Sequence, residues 1–211
     1  MDKIDLRKEL KHLYNPSSKK VEIVEVPRMQ FALIDGEIEP GKSPGTSPAF
    51  QEAVEALYGI SYTLKFMSKL NKVNPIDYTV MALEGLWWVE DKEFSITEPG
   101  GWRWTAMIMQ PDHISDVMFS KALDQLRKKK DPPALEMLRL EPFEEGLSMQ
   151  IMHIGPYAEE PATIEKMKTF AAESSLYPRG KHHEIYLGDP RKADPAKLKT
   201  VLRHPVTRIS E

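Results

Sequence analysis

The chain has 211 residues, of which 41% are apolar and 9% aromatic, enough for a sizeable core in one large domain or two small ones. Its 29 basic and 32 acidic residues are interspersed and leave a formal net charge of -3, so no general attraction to nucleic acid or to anionic lipid is expected. The absence of cysteine excludes a disulfide framework, a thiolate metal site and a cysteine nucleophile.

A cytoplasmic protein is expected, because Met1 to Lys11 is charged throughout without a signal-peptide core and no later run approaches a membrane span. Residues 1–18 read as a short arm, with a helical turn or two from Leu6 to Tyr14 before Asn15-Pro16, too short for a DNA-binding headpiece. Val21 to Val26 alternates, and Met29 to Ile38 continues in a second apolar run, so the two read as strands. Ser47-Pro48 reads as an N-cap with proline at the first helical position, and Ala53, Leu57, Ile60, Leu64 and Met67 mark the buried stripe of a helix to about Leu70.

The apolar run within Asp77 to Val89 and the strand Trp102 to Gln110 flank a polar connection, Phe94 to Gly101. A second helix, 113–130, ends in Arg127 to Lys130, where cations favour the helix dipole. Leu135 to Glu141 and Leu147 to Ile154 read as a hairpin around Pro142 to Gly146. Ile164, Met167, Phe170 and Ala171 give a third helix, and Leu202 to Ile209 a last strand that Pro205 assigns to a sheet edge.

Two spans, 21–110 and 135–209, thus repeat the order strand, strand, helix, strand, strand, with helix 113–130 between them. Neither small sheet with one helix buries much alone. The expected architecture is therefore α+β: one domain of 1–211 built from two pseudo-symmetric modules side by side around a central cleft. Gly36 and Gly155 close corresponding strands, and Leu83-Glu84 corresponds to His183-Glu184.

The stretch His182 to Pro190 carries the clearest chemistry. On a strand His182, Glu184 and Tyr186 share one face and His183, Ile185 and Leu187 the other, so a carboxyl group sits between an imidazole and a phenol. If aromatic walls desolvate Glu184, its pKa rises toward neutrality and it becomes a general base. His153, His182 and His183 do not make a metal site, because His182 and His183 point to opposite faces and no carboxylate-rich motif completes a shell. No phosphate loop or nucleophile elbow is present, and no cofactor is expected.

The segments Met81 to Trp88, Trp102 to Pro111, Met149 to Tyr157 and His182 to Arg191 together resemble the signature blocks of stand-alone GyrI-like small-molecule-binding proteins, over nearly the whole chain from Val21. That resemblance implies two strand-helix-two-strand modules around an amphipathic cleft. Some stand-alone members are cyclopropanoid hydrolases, which open the strained ring of duocarmycin- and yatakemycin-like DNA alkylators. Others bind cationic drugs as sensors or a protein target such as gyrase.

On the hydrolase reading Glu184 is the base for water and Tyr157 the donor to the developing oxyanion, with Tyr186 sharing that task or lining the cleft. Trp88, Trp102 and Trp104 would offer flat surfaces to a planar aromatic or lipophilic ligand, Met107 and Met149 would fill gaps, and His182 would line the site; Trp87, on the face of Leu83, is assigned to the core. Whether Glu84 enters the cleft, and the oligomeric state, are left open by the sequence.

Overall fold

The computed structural model describes residues 3–90, 94–97, 100–189 and 192–208. A two-residue strand β1 (Lys3–Ile4) and two helical turns, α1 (Leu6–Glu9) and α2 (Lys11–Tyr14), precede the strands β2 (Glu22–Val26) and β3 (Met29–Glu37) and the helix α3 (Pro48–Lys69). Then come β4 (Asp77–Tyr78), β5 (Leu83–Trp88), β6 (Arg103–Gln110) and α4 (Asp116–Lys129). After these follow β7 (Arg139–Phe143), β8 (Gly146–Ile154), α5 (Glu160–Glu173), β9 (Leu176–Pro178), β10 (His182–Tyr186) and β11 (Lys199–Arg208). The α+β class expected from the pattern is the one observed.

The helices begin where local chemistry starts them. Ser47 Oγ accepts from the Phe50 amide at 3.1 Å with Pro48 in the first turn of α3, and Ser115 Oγ accepts from Met118 N at 3.3 Å at α4. Ala53, Leu57, Ile60 and Leu64 of α3 are fully buried in the main core. A second, smaller core gathers Met167 and Ala171 of α5 with Met149, Ile151, Leu202 and Val206.

Nine of the strands form one antiparallel sheet in the order β2-β8-β11-β10-β5-β6-β3-β7, with β9 added against β11, while β1 and β4 make a separate two-stranded parallel sheet. Outward from the central β5/β10 pair the sheet runs β6, β3, β7 on one side and β11, β8, β2 on the other. The outermost strands are exchanged relative to chain order. β2 precedes β3 but pairs with β8, and β7 precedes β8 but pairs with β3, so the hairpin expected around Pro142 to Gly146 is not formed. The connections explain this: Pro27-Arg28 and Glu144-Glu145 are two-residue links in which neither residue has the positive φ that a tight hairpin turn requires.

Pro205 is also not at an edge. β11 lies between β8 and β10, and Pro205, opposite Ser148, sits where the neighbour on the other side passes from β10 to β9. There Arg179 N donates to the Pro205 carbonyl at 2.8 Å, and no amide of residue 205 is needed by the ladder. Ile209, expected in this strand, lies outside the described residues. The amino-terminal arm is built into the fold: β1 pairs with β4, and Leu13 and Tyr14 are buried.

Candidate functional site

Register fixes what the central strands present. Glu184 pairs with Gly85, Tyr186 with Leu83 and His182 with Trp87, so these six residues share one face of the sheet. α3 and α5 pack on that face, and a cleft between them is floored by β5 and β10. Glu184, Tyr186, Leu83 and Trp87 line it from the sheet, Phe50, Val54 and Tyr58 from α3, Tyr157 and Glu160 from the start of α5, and Trp102 from the foot of β6. The cleft continues over α3 toward α4 as one open depression of about 1980 Å³.

Glu184 is 6% exposed and flanked on both sides, with a hydrogen bond on one of them. Its Oε2 accepts a 2.7 Å hydrogen bond from the Tyr186 hydroxyl, which accepts one from Trp87 Nε1 at 3.0 Å. Its Oε1 lies 3.2 Å from Nε2 of His182, whose ring stacks on Phe94 with centroids 5.6 Å apart. Burial, and then the charge of Glu184, push the Tyr186 phenol well above its usual range, so it stays a donor.

Gly85 makes this relay possible. A Cβ there would lie 2.8 Å from Trp87 Nε1 and 3.1 Å from the Tyr186 oxygen, so the indole and phenol can meet only over a residue without a side chain.

A second carboxyl group completes the site. Glu160, at the first position of α5, is 0% exposed, and neither of its carboxylate oxygens has a hydrogen-bond partner among the described residues. Burial, and then the negative charge of Glu184, push its pKa up to about 9. Near neutral pH it is therefore a carboxylic acid, able to donate a proton toward the cleft. Tyr157, edge-on to Tyr186 at 5.9 Å, is pushed up to about 12 by burial and then by the charges of Glu160 and Glu184. The cleft thus sets a carboxyl group bonded by a phenol beside a second carboxyl group and a second phenol, both pushed upward, among aromatic walls. Among the described residues no three His, Asp or Glu side chains converge to hold a metal ion.

Of the residues singled out in the sequence, Glu184, Tyr186, Tyr157 and Trp102 come together in this cleft, with His182 against Glu184. Four do not line it. Trp88 points to the opposite face, where the Lys181 ammonium lies 3.3 Å from its ring centroid. Trp104 is 1% exposed, lying over Gly36 and edge-on to Phe50, and is core. Met107, opposite Glu84, is buried on the far face, and Met149 is buried in the smaller core. Trp87 is buried in the core as expected, yet it also lines the cleft beside Trp102, because its parity is that of Gly85 and Glu184.

Glu84 points away from the cleft, since it pairs with Ile185 rather than with Glu184. Glu160 escaped notice because Glu159-Glu160 reads as the solvated acidic start of a helix; the Pro161 beside it was the available sign that the helix begins there.

Comparison with known proteins places the fold among solved relatives. The model of the GyrI-like small molecule binding domain matches residues 19–207. An uncharacterized conserved protein from Listeria innocua is 39% identical, with a TM-score of 0.86 over 97% of this chain and 100% of that one. A hydrolase from Listeria innocua is also 39% identical, with a TM-score of 0.81 over the same shares. The EcmrR C-terminal domain, 11% identical over 90% of this chain and 98% of that one, shares the fold alone at a TM-score of 0.54. No curated protein matches the chain.

Proposed function

The chain belongs to the GyrI-like small-molecule-binding family, and from that premise we propose that its cleft takes up a planar, largely apolar molecule and adds water to it. The substrate class proposed is the activated cyclopropane of duocarmycin- and yatakemycin-like DNA alkylators, with detoxification in the cytoplasm as the outcome. The observation that carries this reading is the pair of buried carboxyl groups set in different surroundings in one cleft, Glu184 bonded by the Tyr186 hydroxyl and Glu160 without a hydrogen-bond partner among the described residues and pushed up to about 9. The 39% identity to a protein described as a hydrolase supports the reaction type.

In the reaction Glu184 takes a proton from water while the water oxygen bonds to the ring carbon. The breaking carbon–carbon bond sends its electron pair into the conjugated carbonyl, whose oxygen becomes a phenol by taking the proton of Glu160. The proton gained by Glu184 and that lost by Glu160 are re-equilibrated with solvent, so the balance is one water added. Tyr157 is a second donor to the same oxygen. Phe50, Tyr58, Trp87 and Trp102 supply the apolar walls that hold a flat ring system and exclude bulk water. Acid–base assistance of this kind is worth about 10² to 10⁴ in rate, which suffices for a strained, activated ring.

A second reading, non-catalytic capture of a lipophilic cation, is favoured by the same carboxylate among aromatic rings. The two separate on kinetics of Glu184→Gln and Glu160→Gln with a cyclopropane-bearing alkylator. Hydrolysis requires kcat to fall at least about 10²-fold in Glu184→Gln with binding of the neutral ligand retained. It also requires that the wild-type rate fall as pH rises through about 9, when Glu160 loses its proton, and that this alkaline limb vanish in Glu160→Gln. An unchanged rate in Glu184→Gln removes the proposed base, and loss of affinity for cations without any turnover establishes capture.

A further inference from the structure

Behind the cleft, on the opposite face of the same two central strands, lies a second set of charged groups that the reaction does not use. His183 Nε2 lies 3.0 Å from Glu84 Oε2, and its Nδ1 lies 3.0 Å from Glu145 Oε2. The Arg203 guanidinium is 3.4 Å from the same Glu145 oxygen. Tyr14 donates to Glu84 Oε1 at 2.7 Å. Each of these side chains is at most 2% exposed.

The amino-terminal arm closes the set from outside: Arg203 also donates to the Leu13 carbonyl at 2.7 Å, and Gln150 to the His12 carbonyl at 2.6 Å. Burial would depress the imidazole, but Glu145 and then Glu84 outweigh it and lift His183 to about 9, so it is a cation at neutral pH. Burial and then the charge of Glu84 push the Tyr14 phenol well up, which keeps it a donor.

Removing four ions from water is costly, and such clusters are commonly matched or bettered in stability by apolar packing, so stability is a poor account of this one. Its placement offers another. Glu84 belongs to β5 and His183 to β10, diagonal neighbours across the line where the two halves of the sheet meet. A slip of one residue along that line would turn every side chain to the other face. It would separate Trp87 from Tyr186 and move Glu184 off Gly85.

We propose that this arm-sealed cluster is a register pin for the β5/β10 seam, and that Tyr14, Glu84, His183 and Glu145 are positioning residues that hold Glu184 in the cleft from behind. The consequence for activity rests on the hydrolase reading above; the consequence for the seam does not.

The test uses Glu84→Gln, which keeps the shape and removes the charge, and Tyr14→Phe, which removes one hydrogen bond. The exposed-pair variant Arg127→Gln is a control expected to leave activity unchanged. His183→Leu would leave two buried carboxylates facing each other and is the variant most at risk of not folding.

In both test variants kcat falls about tenfold or more with KM within about twofold, a loss of alignment rather than of binding. Amide hydrogen exchange at 83–88 and 182–186 accelerates ahead of the rest of the sheet. Unchanged kcat in a folded Glu84→Gln, or exchange that accelerates equally in every strand, overturns the proposal. If the unmodified protein turns over no substrate, the hydrolase reading fails while the exchange pattern still decides whether the seam is pinned.

Discussion

At the scale of single residues the site depends as much on an absent side chain as on those present. Gly85 lies opposite Glu184, and its bare Cα lets the Trp87 indole reach the Tyr186 hydroxyl that holds the carboxylate. Gly85→Ala puts a methyl 2.8 Å from the indole nitrogen, so the indole must move and its hydrogen bond is lost. The expected cost is about 1–3 kcal/mol of stability, as for overpacking elsewhere, read from the urea midpoint. The variant also loses turnover more than binding, and wild-type kcat in Gly85→Ala would show that the relay is not needed.

The strand pattern His182-Glu184-Tyr186 was legible because period-two alternation needs no knowledge of neighbours. The choice between Trp87 and Trp88 was not, because it turns on which residue of β5 faces Glu184. That register is set by the partner strand rather than by either segment alone.

At the scale of elements, the long helix places one wall of the cleft through its first turn. Ser47 is fully buried, caps α3 at the Phe50 amide, and so fixes the ring that packs against Trp87 at 5.3 Å and Trp104 at 5.2 Å. Ser47→Ala should cost about 1 kcal/mol, as N-cap removals do, measurable by urea denaturation. It should also weaken binding of a flat ligand by loosening Phe50, detectable as a change in tryptophan fluorescence titration. Unaltered affinity would mean that Phe50 is held by packing rather than by the cap.

The start and stripe of α3 could be read from Ser47-Pro48 and the three-four spacing that follows. The exchange of β2 and β7 could not. Each is joined to its chain neighbour by two residues, the length of a hairpin link, and only the absence of residues suited to positive φ argues against local pairing. The pull of a distant partner strand then decides. Pro205 misled for a related reason: proline disfavours a central strand, unless it falls where the partner changes.

At the scale of the whole molecule, the β5/β10 seam carries different chemistry on its two faces. The cleft face holds Glu184 and Glu160 among aromatic rings, open enough to admit a flat molecule; the rear face holds Glu84, His183, Glu145 and Arg203 sealed beneath the arm. Two acids a hundred positions apart in the chain, Glu84 and Glu184, fall on opposite faces of that seam because Glu84 pairs with Ile185 and Glu184 with Gly85. On the two proposals made above, one face serves reaction and the other alignment.

The division of labour rests on Glu184 delivering water, and the most direct measurement is turnover of a cyclopropane-bearing alkylator in water labelled with oxygen-18, followed by mass spectrometry alongside Glu184→Gln. Multiple turnovers to a product carrying one labelled oxygen on the opened ring carbon, formed by the unmodified protein and not by the variant, are predicted. Ligand recovered unchanged, or labelled product formed equally fast by Glu184→Gln, would contradict it.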